Sequence, residues 1–293
     1  MPKEMEPRRW FRYRIEYMLV RLAFWAFRLI GRKKASAIGG WIGRKVGPHL
    51  SANQTAIDNL KTAMPEFSDD ERSAILDKMW DNLGRNAAEL PFVHELDFMS
   101  PDFELVGREY LDEYIASDQP AFFITGHYGP WEATGVAGKY VERDMCIVYR
   151  PANNPWVEEY FQKERASSGY HFVPKGKSGA REILKALKIK KPIVLLNDQK
   201  QNNGIAIPFF GRDANTATAV ADFACRMDLP VYPVRAERLE NGRLRVTVSK
   251  AMYAPKGEDA QQNVVQFLTA INELYESWIR ERPDHWFWVH KRW

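Results

Sequence analysis

Two cysteines in 293 residues are too few for a disulfide framework. Cys146 and Cys225 lie in the apolar contexts CIVYR and ADFACRM, which suits buried thiols in a reducing compartment. The histidines are few and scattered, and no Cys/His cluster has the spacing of a zinc site. No metal and no cofactor is therefore expected. The chain contains no G-x-S-x-G, so a serine hydrolase elbow is excluded. No stretch reaches ~18 uncharged apolar residues, which argues against a simple transmembrane span.

What is present fits a globular chain with a sizeable core: 45% hydrophobic and 27% charged residues. The net charge of +4 is unevenly spread. Residues 1–50 hold 12 Lys/Arg against 3 Asp/Glu, a net of +9, and the rest of the chain is acidic. The run WFRYRIEYMLVRLAFWAFRLIGRKK, from Trp10, has no Pro and no Gly before residue 31, and reads as helix. Arg14, Arg21 and Arg28 recur every seven residues and fall near one helix face. A basic face opposite a Trp/Phe/Leu face fits a helix lying among lipid headgroups, with a tilted single span as the alternative. Internal arginines argue against a signal peptide. The basic residues sit among apolar ones rather than forming a polar arm, so nucleic acid is not the expected partner. Residues 1–46 are thus read as a basic amphipathic membrane-anchoring segment.

Residues 47–100 read as helical, with a Ser68–Glu71 capping box. Beyond residue 101 the runs FELVG, AFFITG, CIVYR, HFVP, PIVLLN and LPVYPVRA read as strands. They alternate with helical segments at 108–117, 131–141, 155–168, 178–190 and 214–228. Asn241-Gly242 marks a hairpin turn before the strand LRVTVSK, and 258–282 reads as a last helix. The expected fold is α/β: a mixed, mainly parallel sheet flanked by helices, with a helical N-terminal region. The α/β domain covers 47–293, helical over 47–100 and catalytic over 101–293.

The stretch AFFITGHYGPWEATG runs an apolar strand into His127, then a turn into a helix carrying Glu132. Ligand sites of α/β sheets lie at such carboxyl ends of strands. A turn there lets Glu132 hold one imidazole nitrogen and leaves the other free as a base. Taken alone, H-x4-E fits a structural histidine beside an unrelated surface glutamate better.

The wider context changes that reading. H-x4-E after a strand resembles the glycerolipid-type acyltransferases. Further blocks follow in order: VYRPANNPWVEEYFQKERASSG (148–169), LLNDQKQNNGIAIPFFGRDANTATAVADFA (195–224), LPVYPVRAER (229–238) and HWFWVHKRW (285–293). Together they are similar to the bacterial lipid A late acyltransferases, the lauroyl/myristoyl branch. The resemblance implies His127 as the general base and Glu132 as its carboxylate. It implies Arg150, Asn153, Arg165 and Asp198 as substrate-binding residues. It implies acyl carrier protein as donor and a hydroxyl of a lipid A precursor as acceptor. The expected place is the cytoplasmic face of the inner membrane, monotopic or with one N-terminal span. Acylation of another glycolipid or an ornithine-type lipid stays open at this stage, as does a non-catalytic lipid or carrier-protein binder.

Overall fold

The computed structural model describes residues 6–166, 170–174 and 176–293, with side chains for all of these except 164–166, 177 and 178. The N-terminal part is helical: α1 (Pro7–Ile30), α2 (Arg32–Val46), α3 (Ala52–Ala63) and α4 (Asp69–Glu89). Strands and helices then alternate: β1 (Phe103–Val106), α5 (Arg108–Ser117), β2 (Phe122–Thr125), α6 (Gly135–Val141), β3 (Cys146–Tyr149), α7 (Pro155–Ala166), β4 (His171–Pro174), α8 (Lys177–Lys188) and β5 (Ile193–Leu196). The chain continues through β6 (Ile205–Phe209), β7 (Arg212–Thr216), α9 (Ala219–Met227), β8 (Val231–Arg238), β9 (Leu244–Val248) and α10 (Ala260–Glu281).

Seven strands form one sheet in the order β1-β9-β8-β2-β5-β3-β4, parallel except where β8 meets β9. The α/β reading of the sequence is what the structure shows. All four residues of β2 are buried, as expected of a parallel strand covered on both faces. Phe122 and Ile124 point into a core shared with α3, α4, α9 and α10. Phe123 points to the opposite core, with α5, α6, Tyr232 and Val234. The Ser68–Glu71 capping box forms in both directions and starts α4.

Two expectations need correction. Residues 214–228 are not one helix: 214–216 belong to β7, which pairs antiparallel with β6 as a separate hairpin. Asp, Ala and Asn have weak strand preference, and it is cross-strand pairing with Ile205–Phe209 that makes this segment extended. The segment 131–141 is helical but begins as a 3-10 turn, Trp131–Thr134, before α6.

The first two helices are held differently. α2 lies in backbone contact with α4: a Cβ on Gly84 would stand 2.1 Å from the Gly39 carbonyl, and one on Gly43 2.1 Å from that of Trp80. α1 packs on α7 through aromatic rings, Trp10 on Trp156 at 5.9 Å and Phe24 on Phe161 at 5.9 Å. Arg14 stacks on Trp10 and Trp156, at 5.2 and 4.9 Å from their ring centres. Arg28 donates to the Tyr160 hydroxyl. Arg14 and Arg28 of the seven-residue row therefore contact α7, and Arg21 stacks on Tyr17 of α1 itself. On α1, Phe11, Met18, Leu19, Leu22, Trp25 and Leu29 are exposed, Met18 to 68%. Among the described residues, no helix is long and apolar enough to cross a membrane.

Candidate active site

β2 ends at Thr125, and its neighbour β5 ends at Leu196. The residues just past these two ends carry the site. The turn after β2 needs Gly129: its φ is +55°, and a Cβ there would meet the Ala236 carbonyl at 2.1 Å. The Asn86 amide donates to the Gly129 carbonyl at 2.7 Å and so ties this turn to α4.

His127 stands at the start of that turn, and its partner is Asp198, two residues past β5. The His127 Nδ1 and Asp198 Oδ1 are 2.8 Å apart. The His127 backbone N–H donates to Asp198 Oδ2 at 2.8 Å, and the Trp286 indole N–H donates to the same oxygen at 2.9 Å. Asp198 is 2% exposed. Burial by itself would raise its pKa. The charge of the His127 imidazole and the hydrogen bonds from the His127 ring, Trp286 and the His127 backbone outweigh that and hold it down at about 2. Asp198 is thus an ionised buried carboxylate, and a charge-assisted bond to it fixes the ring.

The carboxylate on Nδ1 thus comes from the segment after β5, whereas the sequence reading had Glu132 hold one ring nitrogen. Glu132 lies in the 3-10 turn Trp131–Thr134 and lines the same cavity as His127. A neighbouring parallel strand delivers Asp198 to the ring.

The cavity holds about 220 Å³. Met145, Ile147, Tyr170, Phe172, Val194 and Leu196 give it an apolar lining, and His127, Glu132, Arg150 and Gln199 supply polar groups. Arg150 follows β3 and lines the cavity. Asn153 does not line it; it accepts a hydrogen bond from Arg150 at 3.3 Å. Arg165 falls within α7, and its side chain lies outside the described residues. Among the described residues, no group of three or more His, Cys, Asp or Glu could hold a metal ion. Burial pushes the Cys146 thiol up to about 11 and raises that of Cys225, so neither is an activated nucleophile.

The C-terminal segment contributes more than the sequence reading gave it. It runs antiparallel beside the catalytic turn: Gly129 N–H donates to the His285 carbonyl at 2.8 Å, and Phe287 N–H to the His127 carbonyl at 3.0 Å. The Phe287 ring lies 5.7 Å from the imidazole. Arg292, fully buried, donates to the Thr216 hydroxyl at 2.9 Å and the Asn215 carbonyl at 3.0 Å. No local sequence pattern marks Trp286 or Phe287 as site residues, because the contacts join positions over 70 residues apart.

An apolar cavity ending on a carboxylate-held imidazole suits general-base chemistry on a substrate with an apolar chain, carried on an α/β scaffold. Comparison with known proteins narrows this class. The chain belongs to the bacterial lipid A biosynthesis acyltransferase family, whose sequence profile matches residues 2–293. Among characterised relatives, the lipid A biosynthesis lauroyltransferase of Escherichia coli (strain K12) is 22% identical over 245 residues, covering 80% of this chain and 76% of that protein. The protein is thus an acyltransferase of lipid A biosynthesis.

Proposed function

We propose that the protein moves a fatty acyl chain from acyl carrier protein to a hydroxyl of a Kdo-bearing lipid A precursor, with His127 as general base. The observation that supports it best is the buried Asp198 on Nδ1, which leaves the second ring nitrogen for the substrate at an apolar cavity. A hydroxyl is a poor nucleophile until its proton is removed. In this reading His127 takes that proton as the hydroxyl oxygen attacks the thioester carbonyl. The carbon–sulfur bond then breaks, and the imidazolium returns the proton to the thiolate. Asp198 fixes the tautomer and offsets the charge formed on the ring. Arg150 faces the developing oxyanion or a phosphate of the acceptor. Glu132 contacts the acceptor from the cavity wall. Transfer is direct, so donor and acceptor are bound together.

In the same reading the protein works as a monotopic enzyme on the cytoplasmic face of the inner membrane, which the exposed apolar face of α1 supports. Large aromatic and aliphatic side chains with bordering arginines suit the headgroup region.

The test is transfer in mixed micelles, with acyl carrier protein thioester and the precursor. One ester is expected for each carrier thiol released, with no turnover in folded His127→Ala. Thioester consumption that does not depend on the acceptor, or near wild-type transfer by His127→Ala, overturns the reading. Mass spectrometry of lipid A from a deletion strain identifies the chain transferred.

A further inference from the structure

The carboxylate that holds His127 is itself held by a residue from the far end of the chain. Asp198 Oδ2 accepts from two donors, the His127 backbone and the Trp286 indole. The first is fixed by the turn after β2. The second is fixed by packing: the Trp286 ring lies 4.7 Å from that of Trp288 and 5.5 Å from that of Phe209, and Trp286 is 2% exposed. Its backbone is bridged to Tyr128, next to the base. The carboxylate can therefore rotate only by breaking a buried hydrogen bond.

We propose that Trp286 is a positioning residue for the reaction: its indole N–H holds the plane of Asp198 so that Oδ1 faces His127 Nδ1. It touches neither substrate nor the reacting atoms and acts through Asp198. This rests on His127 being the base.

The direction of its effect follows from charge. With the indole donor removed, the negative charge of Asp198 is less dispersed, and the imidazolium beside it is favoured. The ring then binds its proton more tightly, and the acid limb of the rate profile moves to higher pH. The other groups facing this pair are the Arg292 guanidinium, the Tyr275 hydroxyl, and Glu132 and Arg150 across the cavity. His285 lies beyond Tyr128. All of these stay unchanged in the test. Asp198→Asn, which removes the anion itself, moves the limb to lower pH.

The experiment replaces Trp286 by 3-benzothienylalanine, which keeps the ring shape and has sulfur in place of the N–H, alongside Trp286→Phe. Trp288→Phe is the packing control, since its indole donates to the Pro283 carbonyl at 2.7 Å and not to Asp198. In the folded full-length protein, the thienyl variant should lose about tenfold in kcat with KM changed less than twofold. Its acid limb should rise by about half a pH unit. Trp288→Phe should leave the limb in place. A limb that stays put or moves down in the thienyl variant, or a loss confined to KM, overturns the proposal. If folded His127→Ala stays active, the underlying reading of the base fails instead, so the two failures are distinguishable.

Discussion

At His127 the issue is which carboxylate answers the positive charge that forms on the ring. Asp198, with its pKa held at about 2, is ionised throughout the working range. Asp198→Asn should lower kcat by about 10² or more, because general-base catalysis is worth roughly 10²–10⁴. Glu132→Gln should lose only about tenfold, mainly in KM. Steady-state kinetics of the two variants decide the matter, and equal losses in kcat would return the orienting role to Glu132. At Arg150, a lysine supplies charge without the planar fork. Arg150→Lys should therefore fall at least tenfold in kcat/KM, and wild-type kinetics would remove Arg150 from the site. The sequence made His127 legible because a strand, a glycine turn and a histidine lie next to one another. Asp198 was legible as a strand-end carboxylate but not as its partner, since register between β2 and β5 decides the pairing. Nothing local announces a bond spanning 71 positions.

At the scale of elements, two contacts lead to opposite kinds of experiment. Gly84→Ala would gain up to ~1 kcal/mol of helix propensity in isolation. Here its Cβ would stand 2.1 Å from the Gly39 carbonyl, and overpacking of ~1–3 kcal/mol wins. Urea unfolding should show a net loss of about 1 kcal/mol or more; a gain would mean that α2 and α4 part easily. On α1, Leu22 and Trp25 are exposed, so Leu22→Glu with Trp25→Glu should leave folding intact. Flotation with anionic vesicles should then show at least a tenfold fall in bound protein, and unchanged binding would move the membrane contact elsewhere. The Asn241-Gly242 turn before LRVTVSK marked the seventh strand of the main sheet, β9, and apolar runs made the other six legible. The β6–β7 hairpin was not, because Arg-Asp-Ala-Asn-Thr has no strand pattern of its own and Pro208 reads as a breaker. Its shape comes from pairing and from α10, whose Asn272 donates to the Pro208 carbonyl at 2.9 Å.

For the whole molecule, the same aspartate links catalysis to acid stability. The folded pKa of Asp198 lies below its ordinary unfolded value of ~3.9. The unfolded chain therefore binds more protons between these values, and stability falls as pH falls through that window. The contribution of Asp198, complete above about pH 5, should be lost progressively as pH falls through the folded pKa, down to about pH 1. Urea midpoints from pH 6 down to pH 3 should drop in the native protein and drop less in Asp198→Asn; parallel curves would contradict the assignment. The antiparallel tail at 285–287 has one more consequence, which concerns timing on the ribosome. A nascent chain can collapse from its N-terminus as it is made, and β2 and β5 are complete long before the tail appears. The strand beside the catalytic turn is nevertheless supplied by residues 285–287, which are translated well after both. A chain that stops short of residue 285 thus has both members of the catalytic pair but lacks the Trp286 donor on Asp198 and the bridge at Tyr128, so the pair is held less firmly until the tail has docked.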